Sequence, residues 1–347
     1  MAFAGTPRWL PGVAVIVGGS RRPGSSGRPC PPTASRGTAV RSRTGGWRSM
    51  VRLADYRLVS QLGDSGTGTA HLARSPAGRV VVVKTVREPL AAEPLFRARY
   101  RWETEAARAV RGPFTAAVLD ADPEASVPWL AAEFCVGPSL SEAVAALGLP
   151  DPGALAAIGA SLAGALTAIH ATGLVHGDLK PANVVVTPTG PKVIDFGVAK
   201  AAVPGGGTPG IGDPAAEPVG SPGFMAPEQI THAVPAGAPA DVFALGALLG
   251  LCATGRNPHG AGNAPHVIHR TLHEQPDLVG VPDQEWEAFL ARCLAKSPYA
   301  RPTVPEVLAW CVARATPYPW WEQEEVAALI HVHEESLAER LSAEEQD

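Results

Sequence analysis

A polar segment at residues 176–183, between two apolar stretches, constrains what this chain can fold into more than any other feature. It contains Asp178, Lys180 and Asn183, and Asp195 ends the next apolar run. A carboxylate can orient a hydroxyl group and accept its proton, a lysine offsets phosphate charge, and carboxylate and amide oxygens are ligands that Mg²⁺ prefers. A polar turn between two strands would explain one of these residues, whereas the ordered set indicates a site for phosphoryl transfer.

A glycine-rich hairpin precedes this segment. Residues 56–62 alternate like a strand, the glycine-rich loop 63–68 follows, and residues 79–85 form the next predicted strand. Glycine has no Cβ, so the tip of such a hairpin can approach phosphate groups closely. Lys84 comes directly after the valines at 81–83 in the second strand, which favours buried surroundings over a lysine that faces solvent.

These motifs together resemble those of the protein kinase family, whose catalytic loop reads H-R-D-x-K-x-x-N and is followed by D-F-G. Residues 176–183 and 195–197 follow this order, residues 81–84 resemble the V-A-I-K strand, and residues 226–228 read Ala-Pro-Glu. The resemblance is closest to the bacterial, actinobacterial-type eukaryotic-like serine/threonine kinases. It also implies that Arg301 pairs with the glutamate of the Ala-Pro-Glu segment.

The resemblance implies an α+β, bilobal protein-kinase fold over residues 53–316. A small antiparallel sheet would form the N-lobe at 53–134, and a mainly helical C-lobe would follow at 137–316. Before it we expect a disordered basic leader at 1–52, because that segment has nine arginines, no acidic residue and little apolar surface to bury. After it we expect an amphipathic helix at 317–347.

The family pattern also implies a role for each polar residue of the central segment. Asp178 would act as the base on the acceptor hydroxyl, and Lys180 would steady the γ-phosphate. Asn183 and Asp195 would hold Mg²⁺. The implied reaction is transfer of the γ-phosphate of Mg·ATP to Ser or Thr of a protein substrate, because this type of catalytic loop carries a lysine and Ser221 takes a place where family members often have threonine.

The nucleotide would be held mainly by Lys84, which the resemblance pairs with Glu103 of a predicted helix at 93–110. Glu105 is the alternative partner, on a different face of that helix. Ala132 takes the position behind the adenine site, and its small side chain would leave a back pocket open. The other positions implied to contact ATP are Leu62, Gly63, Ser65, Gly66, Gly68, Ala70, Val82, Glu133, Cys135 and Val185.

Departures from the family pattern support a second interpretation, a pseudokinase that binds nucleotide as a scaffold. Ser65 replaces a glycine of the loop, Val82 replaces an alanine, and Gly177 replaces the arginine before the catalytic aspartate. The intact set of phosphate, metal and base residues favours an active enzyme. A small-molecule phosphotransferase is disfavoured by the Ala-Pro-Glu segment and by the loop 221–223, which serve protein substrates in the family.

Gly177 also predicts how activity is regulated. Kinases with arginine at this place use it to bind a phosphorylated residue of the activation segment. The predicted mobile segment 203–220 is rich in glycine and proline, and between Phe196 and Met225 only Thr208 and Ser221 carry hydroxyl groups. We therefore expect activity without phosphorylation of this segment.

The bulk composition limits partners and location. A net charge of −4 gives no general reason to expect nucleic-acid binding, and the five cysteines form no C-x-x-C pair, which favours a reducing, cytoplasmic location. The uncharged apolar stretches 154–169 and 242–253 are shorter than the about 18–20 residues of a membrane span, so we expect none. Three histidines at helical spacing favour a polar helix face over a metal site; they are His266, His269 and His273.

Overall fold

The structure is a computed structural model that describes residues 52–196 and 221–346. Its first part is a six-stranded antiparallel sheet in the order β1-β2-β3-β4-β6-β5. The strands are β1 (Arg52–Leu53), β2 (Tyr56–Asp64), β3 (Gly68–Arg74), β4 (Val80–Val86), β5 (Val118–Asp122) and β6 (Trp129–Glu133). In β4, Val81 and Val83 are fully buried while Lys84 lies on the opposite face, as the alternation of a half-buried strand requires.

Two helices, α1 (Glu88–Ala91) and α2 (Pro94–Ala109), cover one side of this sheet. The apolar stripe of α2 is buried, with Phe96 and Tyr100 at 3% and 2% exposure. Their rings stack with centroids 6.1 Å apart. The predicted helix at 93–110 is confirmed to within a residue at each end, because its apolar positions recur with the helical period.

The second lobe is mainly helical. Its elements are α3 (Leu140–Leu147), α4 (Pro152–His170), β7 (Val184–Thr187), β8 (Gly190–Val193), α5 (Pro227–Thr231), α6 (Ala238–Thr254), α7 (Ala264–His273), α8 (Gln284–Cys293), α9 (Val304–Val312) and α10 (Glu324–Gln346). Helices α4 and α6 form its buried centre. Small residues allow close packing there: a Cβ on Gly159 would lie 2.7 Å from Cys311 Sγ, and one on Gly246 would lie 2.7 Å from Cys293 Cβ. This arrangement of two lobes confirms the predicted α+β class.

Helix α4 corrects one expectation from the sequence. It extends over 19 residues, so among the described residues it is the one helix long and apolar enough to cross a membrane. Its most apolar 18-residue window is 78% buried inside the lobe. The predicted length was too short because Pro152 begins the helix before the apolar run and His170 ends it. The burial is typical of the central helix of a folded domain.

The C-terminal segment docks on the same chain, as its tryptophans predicted. Trp320 and Trp321 form a short 3₁₀ turn and are 4% and 2% exposed. Val326 and Ile330 of α10 join the same hydrophobic core, whereas Val332 is 58% exposed. The anchored part of the helix is therefore its first two turns.

Candidate active site

The catalytic loop brings its three predicted side chains together. Lys180 Nζ lies 3.0 Å from Asp178 Oδ2. Asn183 Nδ2 donates to the Asp178 carbonyl oxygen at 2.8 Å and lies 3.3 Å from its Oδ2. Both contacts are made to the same carboxylate oxygen, so the lysine and the amide together fix the Asp178 carboxylate.

A buried carboxylate below the loop holds its backbone. Asp241, at 1% exposure, accepts hydrogen bonds from the backbone nitrogens of His176 and Gly177, each at 2.8 Å, and it bonds His170 Nε2 at 2.7 Å. The His176 ring in turn accepts from the nitrogen of Asp178 at 3.2 Å. By its sequence, Asp241 opens a hydrophobic helix that resembles the one anchoring the catalytic loop in the family, and its carboxylate makes the anchoring hydrogen bonds.

Asp195 forms an ion pair with Lys84 from the other lobe. Its backbone φ is +63°, a conformation that few residues other than glycine adopt. Strained backbone of this kind clusters at functional sites, where the surrounding structure holds it in place. The Asp195 carboxylate is thereby aimed at the lysine that the sequence predicted to meet phosphate groups.

The predicted pair between Lys84 and Glu103 is wrong for this structure. Glu103 is 4% exposed in α2, and its carboxylate lies 3.6 Å from Nε of Arg99. Arg99 is one turn earlier on the same face of the helix, so this ion pair forms within α2 and involves no residue of the sheet. Lys84 pairs with Asp195 instead. The alternative partner, Glu105, is exposed.

The glycine-rich loop is closed by its own hydrogen bonds. Only glycine fits at position 68, because a Cβ there would lie 1.9 Å from the carbonyl oxygen of Thr85. Ser65 donates to the Gly68 carbonyl oxygen from its backbone nitrogen at 2.8 Å and from Oγ at 2.9 Å. A Cβ built at Gly63 or Gly66 has no atom within 4 Å among the residues that the structure describes. The serine that departs from the family pattern thus closes the turn itself.

Arg87 ties this loop to the end of β4. Its Nε donates to the Ser65 carbonyl oxygen at 2.7 Å, and its guanidinium lies 2.7 Å from Asp64 Oδ1. Arg87 belongs to none of the motifs that the sequence displays, and its signal was its place directly after the strand that carries the lysine.

The β3–β4 pair places the predicted nucleotide-facing residues on one face. Ala70 lies opposite Lys84, and Leu72 lies opposite Val82. Opposite residues of an antiparallel pair share a face, and Val82 and Lys84 alternate onto the same side. Ala70 and Val82 are therefore diagonal neighbours on the face that carries the lysine. Leu62 is 40% exposed at the edge of the hairpin.

The segment between the lobes is held by the side chain of Glu133, a position that the resemblance implies to contact ATP. Glu133 accepts from the Ala117 nitrogen at 3.2 Å and pairs with Lys192 of β8. Burial, followed by the nearby Glu133 carboxylate, raises the pKa of the Cys135 thiol to about 12. Cys135 is therefore a neutral thiol at physiological pH.

The same segment then runs against β7. A Cβ on Gly137 would lie 1.9 Å from the Val186 carbonyl oxygen, and Ser139 forms an isolated bridge with Val185. Val185 is 9% exposed. The structure thus brings Val185 close to the chain that contains Glu133 and Cys135.

On the opposite side of the loop, Lys180 Nζ donates to Ser221 Oγ at 2.8 Å. Ser221 leads into the Ala-Pro-Glu segment, where Glu228 accepts two hydrogen bonds from Arg301, at 2.6 Å and 2.7 Å. Both partners of this pair are buried, and the predicted pairing is confirmed. A buried bidentate pair of this kind fixes local geometry more surely than it adds stability.

Asn183 and Asp195 suit a divalent cation by their chemistry. The nitrogen of Ile194, the residue before Asp195, donates to the Asn183 carbonyl oxygen at 2.9 Å, so the two segments lie side by side. Because Nδ2 of Asn183 donates to Asp178, its side-chain oxygen is the atom left for a cation. An amide oxygen and a carboxylate are ligands that Mg²⁺ accepts together with phosphate oxygens. Gly197, the segment 203–220 with Thr208, and the leader up to residue 51 lie outside the described residues.

The chain belongs to the protein kinase family: the family model described as "Protein kinase domain" matches residues 56–311. It carries a kinase domain of the bacterial serine/threonine type, because curated relatives bear that name. Serine/threonine-protein kinase AfsK from Streptomyces coelicolor is 41% identical over 262 residues, which is 74% of this chain and 32% of that protein. The probable serine/threonine-protein kinase PkwA from Thermomonospora curvata is 42% identical over 258 residues, which is 74% of this chain and 34% of that protein.

The chain thus spans about a third of the length of these curated relatives. Among solved structures, the PknI kinase domain from Mycobacterium tuberculosis is similar with a TM-score of 0.59 and 26% identity, covering 78% of this chain and 100% of that one. These findings confirm the predicted family and the bilobal fold. Proteins of this family use ATP with a divalent metal ion and phosphorylate other proteins.

Proposed function

We propose that this chain transfers the γ-phosphate of Mg·ATP to a serine or threonine hydroxyl of a protein substrate. The observation that carries the proposal is the cluster of Asp178, Lys180 and Asn183, joined to Ser221 through the lysine. The contacts support the proposal because a carboxylate suited to act as a base, a cation and two polar side chains lie within hydrogen-bonding distance of one another.

Each side chain then has a defined task. Asp178 orients the acceptor hydroxyl and takes its proton, and Lys180 offsets negative charge that develops on the transferred group. Lys84 contacts the phosphates of the nucleotide, a role that its ion pair with Asp195 supports. Asn183 and Asp195 would hold Mg²⁺, which when bound neutralises phosphate charge.

The test is transfer of radiolabelled phosphate from ATP to a generic basic protein, by the wild type and by Asp178→Ala. We expect transfer by the wild type only, with similar nucleotide binding in both proteins, because Asp178 acts on the acceptor hydroxyl and not on ATP. Equal rates in the two proteins would refute the assignment. Nucleotide binding without transfer in the wild type would instead identify a scaffold that does not catalyse the reaction.

We also propose a cytoplasmic location. Four described cysteines are free thiols, at positions 135, 252, 293 and 311, and unpaired thiols are typical of reducing compartments. Cell fractionation would test this, and recovery of the chain in an oxidising compartment would contradict it.

A further inference from the structure

Gln229, the residue directly after the Ala-Pro-Glu segment, connects two parts of the site. Its Oε1 accepts a hydrogen bond from the Ala226 nitrogen at 2.9 Å, at the start of α5. Its Nε2 donates to the carbonyl oxygen of Gly177 at 2.9 Å. A side-chain amide is planar, so fixing its oxygen also sets the direction of its nitrogen. One side chain therefore joins α5 to the catalytic loop.

The helix that carries Gln229 is itself immobilised. The preceding residue, Glu228, forms the buried bidentate pair with Arg301. Arg301 also donates to the Pro239 carbonyl oxygen at 2.8 Å, next to the start of α6. Gln229 thus extends from a fixed support toward the loop.

The contact falls on the peptide unit that leads into Asp178. The Gly177 nitrogen is held by Asp241 at 2.8 Å, and the Gly177 oxygen is held by Gln229. The carbonyl oxygen of Gly177 belongs to the same rigid plane as the nitrogen of Asp178. That nitrogen donates to the His176 ring. Rotation of this plane would redirect the Asp178 side chain, and the glutamine opposes it.

Gly177 makes this support more important. Its φ is +74°, which glycine adopts freely. No atom of the described residues lies within 4 Å of a Cβ built at Gly177, so within that part of the chain nothing packs against the side where a side chain would extend. The loop at this residue is therefore fixed through its backbone, by Asp241 on the nitrogen and Gln229 on the oxygen.

We propose that Gln229 is a positioning residue for Asp178, which sets the peptide plane before the base through the Gly177 carbonyl oxygen. The proposal rests on the proposed kinase function for its effect on catalysis. It rests on the two hydrogen bonds alone for its effect on the structure of the loop.

Three substitutions separate the two hydrogen bonds. Gln229→Glu keeps an acceptor for the Ala226 nitrogen but replaces the donor with a charge that repels the Gly177 carbonyl oxygen. Gln229→Lys supplies a donor but no acceptor, and Gln229→Met removes both. Gln275→Met, at an exposed loop glutamine, is the matched control.

We expect kcat to fall about tenfold in Gln229→Glu and Gln229→Met, the size of effect that one lost hydrogen bond in a site produces, with the KM for ATP unchanged. Gln229→Lys should retain most of kcat. The melting temperature should follow the other bond, falling in Gln229→Lys and Gln229→Met but not in Gln229→Glu. Amide hydrogen exchange over residues 174–181 should speed up in the Glu and Met variants only.

Wild-type kcat and wild-type exchange in Gln229→Glu and Gln229→Met would overturn the proposal. So would a loss of kcat that parallels melting temperature across all three variants, because that pattern describes a helix cap and nothing more. If the wild type itself transfers no phosphate, the kinase function fails, and the exchange measurement still decides whether Gln229 holds the loop.

Discussion

At the scale of single residues, His259 is a histidine whose polar ring lies in a buried environment. It is 2% exposed, and its ring stacks on Phe243 with centroids 5.4 Å apart and planes 4° from parallel. Neither ring nitrogen has a hydrogen-bond partner within the part of the chain that the structure describes. Burial first, and then the charges of Lys296 and Arg270, lower the pKa of His259 to about 4.

This histidine predicts a specific loss of stability in acid. Between pH 6.5, the ordinary pKa of histidine, and pH 4, the unfolded chain binds a proton that the folded chain does not. The free energy of unfolding should therefore fall by about 1.4 kcal/mol per pH unit as pH decreases through this window. In urea titrations from pH 7.5 to 5, His259→Phe should reduce that slope and add about 1–3 kcal/mol at pH 7.5, because two unpaired buried nitrogens are removed. His266→Phe, at an exposed position, is the control; equal slopes in wild type and His259→Phe would contradict the assignment.

A second residue-scale prediction concerns Gly177. Because this position offers no charge to bind a phosphate group, enzyme treated with a phosphatase and enzyme preincubated with ATP should have similar initial rates of transfer. Thr208→Ala should match both. A large fall in rate after phosphatase treatment, or in Thr208→Ala, would show that another cation takes the place of the missing arginine.

At the scale of elements, the pairing of β3 with β4 predicts that Ala70 and Val82 compensate for each other's size in the adenine site. The family pattern has valine at the place of Ala70 and alanine at the place of Val82, so their sizes are exchanged here with the total volume kept. The two residues are diagonal neighbours on one face. Ala70→Val alone should weaken ATP binding, because overpacking costs about 1–3 kcal/mol. Adding Val82→Ala should restore it; additive effects in titrations with a fluorescent nucleotide would show that the positions are independent.

The 3₁₀ turn before α10 is predicted to belong to the folded core, whereas the exposed part of α10 after it is not. Trp321 packs near Gly190 of β8, where a built Cβ would lie 3.4 Å from the indole. Trp321→Ala should lower the free energy of unfolding by about 3–5 kcal/mol, as is usual for a buried aromatic residue. Val332→Ala, at an exposed position of α10, should change it by less than about 0.5 kcal/mol. Similar urea midpoints for the two variants would show that the turn is not part of the core.

These elements also show what the sequence could predict. The apolar stripe of α2 was predictable because its apolar side chains recur with the helical period. The pair of Glu228 with Arg301 was predictable because both residues belong to recognisable sequence motifs. The pairing of Lys84 was not, because two carboxylates compete for one lysine and the choice depends on how α2 sits against the sheet. Gln229 was missed because its partner is a backbone carbonyl oxygen, which every residue has and which no sequence pattern marks.

At the scale of the whole molecule, ion pairs and an apolar core both join the lobes, because Ala107 of α2 and Val110 directly after that helix belong to the same hydrophobic cluster as the helices of the large lobe. Lys84 connects the sheet to Asp195, and Glu133 connects the segment between the lobes to Lys192. Both pairs are only partly buried, at 17–34% side-chain exposure, so solvent screens them. The interior of each lobe, by contrast, is apolar and closely packed. The shared apolar core therefore holds the lobes together more firmly than the two partly exposed ion pairs do.

The close packing around the glycines of α4 and α6 has a practical consequence. Cys252, Cys293 and Cys311 have no exposed surface, and burial raises the pKa of each thiol, to about 12 for the first two. A thiol that is both inaccessible and protonated does not react with alkylating reagents. These three side chains become reactive only when the large lobe opens, so they serve as built-in reporters of its unfolding. The rate at which an alkylating reagent labels them in the native protein measures how often that lobe opens, without any engineered cysteine.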